Sequence, residues 1–129
     1  MHVDDKSSFL TFAFVTPITL ISDFGSDSVY VGLLKGSILK RMPEVQIVDL
    51  THSIRQFDPV HGAFVLRAAM DVFPKGTVHL IAINAVETPD HPHRIVKMNG
   101  QYFVGADTGV FQLMGAKKPD AVYLSLIHI

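Results

Sequence analysis

The sequence predicts an α/β fold whose doubly wound, mainly parallel sheet is built from a βαβαβ unit followed by a β-hairpin. Apolar runs rich in β-branched residues recur at Ile18–Ile21, Val45–Leu50 and Val78–Ile83. The stretches between these runs have helical periodicity and are closed by proline or glycine. A third observation is the dipeptide Asn99-Gly100 between two further apolar runs, which favours a two-residue hairpin turn.

The first strand leads into the first helix. The turn-rich stretch 22–27 follows the first apolar run at once, and Asp27 is a suitable N-cap. The pattern that follows has helical spacing until Met42-Pro43 stops it, and its apolar positions are Val31, Leu34 and Ile38. Gly32 and Gly36 lie on one face of this helix, where each costs about 1 kcal/mol relative to alanine. We interpret them as sites of close helix-to-strand packing rather than of ligand contact.

The second helix has the clearest start signal. Asp58-Pro59 combines a capping residue with a first-turn proline, and the helix is predicted to run to about Phe73, before Pro74 and Gly76. The third strand has almost no polar alternation, as expected when helices cover both faces of a parallel sheet. Right-handed crossovers then make the three strands parallel.

The later part of the chain predicts smaller elements. Arg94–Met98 and Tyr102–Val104 form the hairpin, Val110–Met114 one or two helical turns, and Ala121–Leu126 a last strand. We divide the chain into an N-terminal extension, residues 1–17, and one domain, residues 18–129. The chain ends inside an apolar stretch, which predicts a fragment of a longer protein.

Composition excludes several classes of protein. The chain has 129 residues, with 11 Lys and Arg against 12 Asp and Glu, so a nucleic-acid-binding surface is not expected. No cysteine is present, which excludes disulfides and a thiolate site and favours a reducing, cytoplasmic location. No apolar run is long enough for a membrane span, so no membrane partner is expected.

Polar residues follow all three parallel strands, at the edge where open α/β sheets bind ligands. Asp23 follows the first strand, His52 the second and Asn84 the third. A carboxylate at Asp23 can accept both hydroxyls of a ribose diol, although it can also simply cap the turn. His52 is either a polar contact or general base for a ligand, or a buried hydrogen-bonded histidine. Phe57 either stacks on a base or packs at the start of the second helix.

Other site motifs are not supported. The sequence contains no P-loop and no complete dinucleotide-binding glycine motif. His91-x-His93 has no clear third ligand, so we predict no metal site.

Several segments, in order, resemble the S-adenosyl-L-methionine hydroxide adenosyltransferase family, whose relatives include the fluorinase and chlorinase. The segments that carry this resemblance are Ile18–Gly25, Tyr30–Gly32 with Lys35-Gly36, Ile47–Ile54, Gly62–Leu66, Phe73–His79 and Tyr102–Gly109. The resemblance implies an N-terminal α/β domain and a C-terminal β-barrel domain, the latter absent here, assembled as a homotrimer. It also implies cleavage of S-adenosylmethionine to adenosine and methionine, with a small-molecule substrate and neither cofactor nor metal.

The resemblance implies roles for individual residues. We assign substrate contacts to Asp23, Phe24, His52, Phe57 and Asp107. The family's hydrolases have a DPGVGTxRR stretch after the third strand, and here Asn84 stands in the place of its aspartate while Arg94 is the candidate for its arginine. Thr108 also replaces the usual asparagine of a later segment.

These departures leave two alternatives open beside the enzyme. One is a variant that binds adenosine or S-adenosylmethionine without cleaving it, and the other is a structural fragment without activity. We expect the 129-residue chain to be inactive alone, because part of the water-holding machinery is replaced or lies outside it.

Overall fold

The computed structural model describes residues 16–56, 58–83, 92–106, 108–115 and 121–124. The strands are β1 (Ile18–Ser22), β2 (Ile47–Thr51), β3 (Val78–Ala82), β4 (His93–Met98), β5 (Gln101–Ala106) and β6 (Ala121–Leu124). The helices are α1 (Val29–Arg41), α2 (Pro59–Val72) and α3 (Val110–Met114). None of these helices is both long and apolar enough to cross a bilayer.

The strands form one sheet in the order β2-β1-β3-β5-β4-β6. Strand β1 pairs in parallel with β2 and with β3, and β3 pairs in parallel with β5. Strand β4 is antiparallel to both β5 and β6. The prediction of a doubly wound, mainly parallel sheet followed by a hairpin is therefore confirmed.

The hairpin turn has the geometry that its dipeptide favours. Asn99 has φ 54° and Gly100 has φ 72°, so both central residues are left-handed, as a type I′ turn requires. This turn sets the register in which Met98 pairs with Gln101. Strand β5 thereby returns alongside β3 and extends the parallel part of the sheet.

Helix starts follow local capping chemistry. Asp58 caps α2 as predicted, because its side chain accepts a hydrogen bond from the His61 backbone N–H. For α1 the prediction of Asp27 was wrong, since Ser28 is the N-cap and its Oγ accepts from the Tyr30 N–H. The two caps differ by one residue, a shift that spacing alone does not resolve.

The two glycines of α1 were misinterpreted. A Cβ atom added at Gly32 or Gly36 would meet no heavy atom within 4 Å among the described residues, so neither glycine makes room for a strand. Close approach occurs instead at Gly105, where an added Cβ would lie 2.8 Å from the Ile81 carbonyl oxygen of the neighbouring strand. A second close approach is that of Gly62 in α2 to the Ile83 side chain.

The core lies between the sheet and helices α2 and α3. Its largest fully buried members include Phe103, Leu66 and Met114. The other side chains of this cluster are Ile21, Ile54, Ala63, Ile81, Ile83, Val96, Val110 and Phe111. Because side chains alternate along a strand, Leu20 points to the face of the sheet opposite Ile21. Helix α1 lies on that opposite face, since its Lys35 bonds to Asp49, which pairs with Leu20 in the neighbouring strand β2.

Near the amino end of the sheet the core contains a buried hydrogen-bonded network of Thr19, His79 and Gln101. His79 is fully buried between the stacked ring of Phe103, 4.7 Å away, and the edge-on ring of Phe73, 5.8 Å away. Its Nε2 lies 2.6 Å from Gln101 Oε1 and its Nδ1 lies 2.6 Å from Thr19 Oγ1. Burial lowers the pKa of His79, although the Gln101 hydrogen bond opposes the shift, so the ring is neutral.

Candidate functional site

The carboxyl ends of β1, β2 and β3 are tied together by backbone hydrogen bonds. The Asp23 N–H donates to Ala82 O at 3.4 Å, joining the turn after β1 to the end of β3. The Gly25 N–H donates to His52 O at 2.8 Å, and the Ile54 N–H donates to Ser22 O at 3.3 Å. The structure therefore brings Asp23 and His52 to one edge, as the topology predicts.

Asp23 and Phe24 form the rim of this edge. Asp23 is partly exposed, immediately after the last residue of β1, and Gly25 completes the turn with φ 95°, a value that suits glycine. Phe24 is 37% exposed, and its ring centroid lies 6.1 Å from that of Tyr30 on α1. A partly exposed carboxylate next in sequence to an exposed aromatic residue suits a ribose with an attached base.

His52 is a buried histidine with both ring nitrogens engaged. It is 8% exposed, with Nδ1 2.6 Å from Ser22 Oγ and Nε2 2.7 Å from Asp49 Oδ1. Of the two interpretations of this residue, the buried hydrogen-bonded one describes its surroundings. A direct contact between His52 and a ligand stays a prediction.

Asp49 connects this histidine to helix α1. Its Oδ2 lies 2.5 Å from Lys35 Nζ, and the two side chains are 40% and 34% exposed. Burial raises the pKa of Asp49, but the hydrogen bonds and charges of Lys35 and His52 together outweigh burial and hold this pKa below its usual value. Asp49 is therefore an ionised acceptor at neutral pH.

Arg94 lies at the same edge but far from Asp23. It stands near the start of β4, opposite Gly105 of β5, which is itself opposite Ile81 near the end of β3. Three strand spacings separate β4 from β1, which amounts to roughly 14 Å. Arg94 is therefore not a neighbour of the Asp23 turn, and its predicted role stays a prediction.

Three predicted site residues, Phe57, Asn84 and Asp107, lie outside the described residues, as does His91 of the His-x-His pair. Thr108, beside Asp107, has a buried hydroxyl with no hydrogen-bond partner within the described ranges. Those ranges also contain no cluster of three His, Asp or Glu side chains arranged to hold a metal ion.

Sequence reasoning did not single out Ser22, Asp49 or Lys35 for chemistry. Ser22 is the last residue of a wholly buried strand, and Asp49 is a carboxylate inside an otherwise apolar strand. A charged residue in such a strand was a usable signal, because it needs either a partner or solvent. Its pairing with Lys35, fourteen positions earlier, required the helix to be placed over the sheet.

Comparison with known proteins identifies a family. The family described as SAM hydroxide adenosyltransferase N-terminal domain matches residues 18–127. The (R)-S-adenosyl-L-methionine hydrolase of Methanocaldococcus jannaschii is 36% identical over 105 residues, which are 78% of this chain and 40% of that protein. The (R)-S-adenosyl-L-methionine hydrolase of Thermus thermophilus is 33% identical over 99 residues, covering 75% of this chain and 38% of that protein.

Solved structures agree with this match. An uncharacterized conserved protein from Thermotoga maritima superposes with a TM-score of 0.74 at 30% identity, over 81% of this chain and 42% of that one. A conserved hypothetical protein from Thermus thermophilus superposes with a TM-score of 0.69 at 25% identity, over 85% of this chain and 46% of that one. This chain thus spans about 40% of the curated relatives' length.

Proposed function

This chain belongs to the S-adenosyl-L-methionine hydroxide adenosyltransferase family, and on that premise we propose that it supplies the adenosine-binding part of an enzyme that cleaves S-adenosylmethionine to adenosine and methionine. The observation that carries the proposal is the Asp23 turn. A carboxylate follows β1 there, at the edge where three parallel strands end and where backbone hydrogen bonds join the residues that follow them.

The reaction needs alignment more than acid–base assistance. The oxygen of water or hydroxide attacks the 5′ carbon, the bond from that carbon to sulfur breaks, and its electron pair stays on sulfur as methionine leaves. The water proton is released to solvent or to a base. Because a sulfonium is a good leaving group, the protein contributes by holding the ribose and excluding bulk water. Asp23 would hold the ribose diol, with Phe24 beside the adenosine and with Phe57 and Asp107 as further contacts.

The remaining features of the proposal come from the family resemblance. We propose that the full-length protein is a cytoplasmic homotrimer with no cofactor or metal, in which S-adenosylmethionine is the substrate. Exposed apolar side chains on α1 and α2, among them Leu33 at 59% and Phe64 at 76% exposure, support association with further protein surface. Analytical ultracentrifugation of the full-length protein measures the oligomeric state, and a monomer at all concentrations would contradict the homotrimer.

A non-cleaving binder is the second candidate, because neutral Asn84 replaces the aspartate that the family's hydrolases have at that position. Incubation of the full-length protein with S-adenosylmethionine separates the two candidates, because the 129-residue chain is expected to be inactive alone in either case. Adenosine and methionine formed above a protein-free control support the enzyme, whereas saturable binding without products supports the binder.

The Asp23→Ala variant tests the ribose contact. Loss of two charge-assisted hydrogen bonds, each worth roughly 1.5 to 3 kcal/mol, should weaken adenosine binding at least tenfold by calorimetry. Asp27→Ala is the matched control, since Asp27 is an exposed carboxylate of the same loop. Equal affinities of the two variants would refute the assignment of Asp23.

A further inference from the structure

A chain of hydrogen-bonded side chains runs from the surface of α1 to the turn that carries Asp23. Lys35 Nζ contacts Asp49 Oδ2 at 2.5 Å, and Asp49 Oδ1 contacts His52 Nε2 at 2.7 Å. His52 Nδ1 contacts Ser22 Oγ at 2.6 Å, and the Phe24 N–H reaches the same oxygen at 3.4 Å. The chain thus passes from a helix through two strand ends into the backbone of the β1–α1 turn.

The direction of the hydrogen bonds follows from the chemistry of the groups. Ionised Asp49 can only accept, so His52 Nε2 carries a hydrogen and donates to it. Nδ1 accepts from the Ser22 hydroxyl when the ring is neutral and donates to Ser22 Oγ when the ring is protonated, so the hydrogen bond to Ser22 is kept in either form. Ser22 Oγ also accepts a hydrogen bond from the Phe24 N–H at 3.4 Å. Ser22 therefore connects the His52 ring to the backbone of the turn.

This triad of serine, histidine and carboxylate is not arranged as a nucleophilic site. Ser22 is 1% exposed and its oxygen already accepts from the Phe24 backbone, so a substrate carbon has no approach to it. Of the serine, the histidine and the carboxylate, only Asp49 is substantially exposed, with a side chain 40% exposed. The three side chains are hydrogen-bonded to one another, and Ser22 Oγ accepts from the backbone of the turn rather than facing a substrate.

Three consecutive backbone N–H groups of that turn donate hydrogen bonds. Those of Asp23 and Gly25 donate to Ala82 O and His52 O, and that of Phe24 donates to Ser22 Oγ. Ser22 therefore holds the turn through its side-chain oxygen and His52 through its backbone carbonyl, while the His52 ring holds the Ser22 side chain. The peptide on each side of Asp23 is fixed, and with it the direction in which the carboxylate leaves the sheet.

We propose that Ser22, His52 and Asp49 are positioning residues that preorganise the Asp23 turn for ribose binding; the inference rests on the proposed function. This role acts through the turn and requires no substrate contact from any of the three residues. Their contribution is to remove alternative conformations of the turn before the ligand arrives, and preorganisation of this kind acts on affinity.

The molecule contains its own matched control. Thr19 and His79 form a second buried hydroxyl-to-Nδ1 hydrogen bond, also 2.6 Å long, which continues through Gln101 to the end of α2. It involves the same functional groups but lies nearer the amino ends of the strands, and within the described part of the chain its hydrogen bonds join Thr19, His79, Gln101, Met70 and Phe73. Removing its hydroxyl should reduce stability and leave ribose binding unchanged.

The test compares Ser22→Ala, Ser22→Thr and Thr19→Val in the 129-residue chain. Adenosine affinity by calorimetry should fall about tenfold in Ser22→Ala, stay within about twofold of wild type in Ser22→Thr, which keeps the hydroxyl, and be unchanged in Thr19→Val. The double variant Ser22→Ala/Asp23→Ala should bind no more weakly than Asp23→Ala alone, because Ser22 acts through Asp23. If Ser22→Ala does not fold, Asp49→Asn at the exposed end should lose about threefold.

The inference is overturned if Ser22→Ala or, in its place, Asp49→Asn binds adenosine like wild type. It is also overturned if the effects of Ser22→Ala and Asp23→Ala multiply. Failure of wild type itself to bind adenosine would instead refute the proposed function. Amide hydrogen exchange at Phe24 and Gly25 then decides the inference, which predicts faster exchange in Ser22→Ala than in Thr19→Val and is overturned by equal rates.

Discussion

Replacing Gln101 with methionine is expected to lower the free energy of unfolding by about 3 to 5 kcal/mol, because this one side chain satisfies three buried polar groups. Gln101 is 1% exposed. Its Oε1 accepts from His79 Nε2 at 2.6 Å, and its Nε2 donates to Met70 O at 2.8 Å and to Phe73 O at 2.9 Å. Methionine keeps the length of the side chain but offers neither a strong donor nor a strong acceptor.

The magnitude follows from these contacts. Three lost hydrogen bonds account for about 1.5 to 4.5 kcal/mol at ordinary net values. The His79 N–H adds to this, because it is fully buried and has no route to water once Gln101 is changed. For a domain of this size the melting temperature should fall by roughly 10 to 20 °C.

Urea unfolding followed by circular dichroism measures the difference. Gln112→Met is the matched control, since Gln112 is exposed on α3 and the same substitution there should change stability by less than about 0.5 kcal/mol. Equal stability of the two variants would show that the network contributes nothing and would refute the reasoning.

Two further predictions concern stability. Because burial lowers the pKa of His79 from its ordinary 6.5, the unfolded chain takes up a proton at a higher pH than the folded protein does, so the free energy of unfolding should fall as the pH is lowered from 7 through 6.5. Urea titrations at pH 7 and at about pH 6 should show a smaller fall for His79→Gln than for wild type, and an identical fall would contradict the assignment. Gly32→Ala and Gly36→Ala should each stabilise α1 by up to about 1 kcal/mol, because the added Cβ meets no described atom within 4 Å. A lower melting temperature in either variant would contradict this expectation.

The type and order of the elements were predictable because their signals are local. Asp58-Pro59 starts α2 through its own capping hydrogen bond, and Asn99-Gly100 forms its turn through its own positive φ angles. Strand ends were less predictable. Strand β2 starts at Ile47 rather than at Val45, because the Val45 N–H is already used in a turn that closes on Met42 O.

The candidate site was predictable only in part. The position of the candidate site was predicted from the rule that open α/β sheets bind ligands at the carboxyl ends of their parallel strands. That rule selected Asp23 and His52. The same reasoning could not tell whether His52 faces a ligand or the protein, since both environments suit a histidine after a strand. The structure supplied the two ring contacts that describe its surroundings.

The sequence by itself determined the family and the βαβαβ order, and it predicted the edge of the sheet where the candidate site lies, because these depend on periodicity, turn residues and motifs close together in the chain. Tertiary structure alone decided which side chains cooperate there. Ser22 and His52 are thirty positions apart, and Lys35 and Asp49 fourteen. Such pairs meet only when parallel strands align their ends and a helix lies across them, and the identity of a residue does not encode its distance from a partner that is remote in sequence.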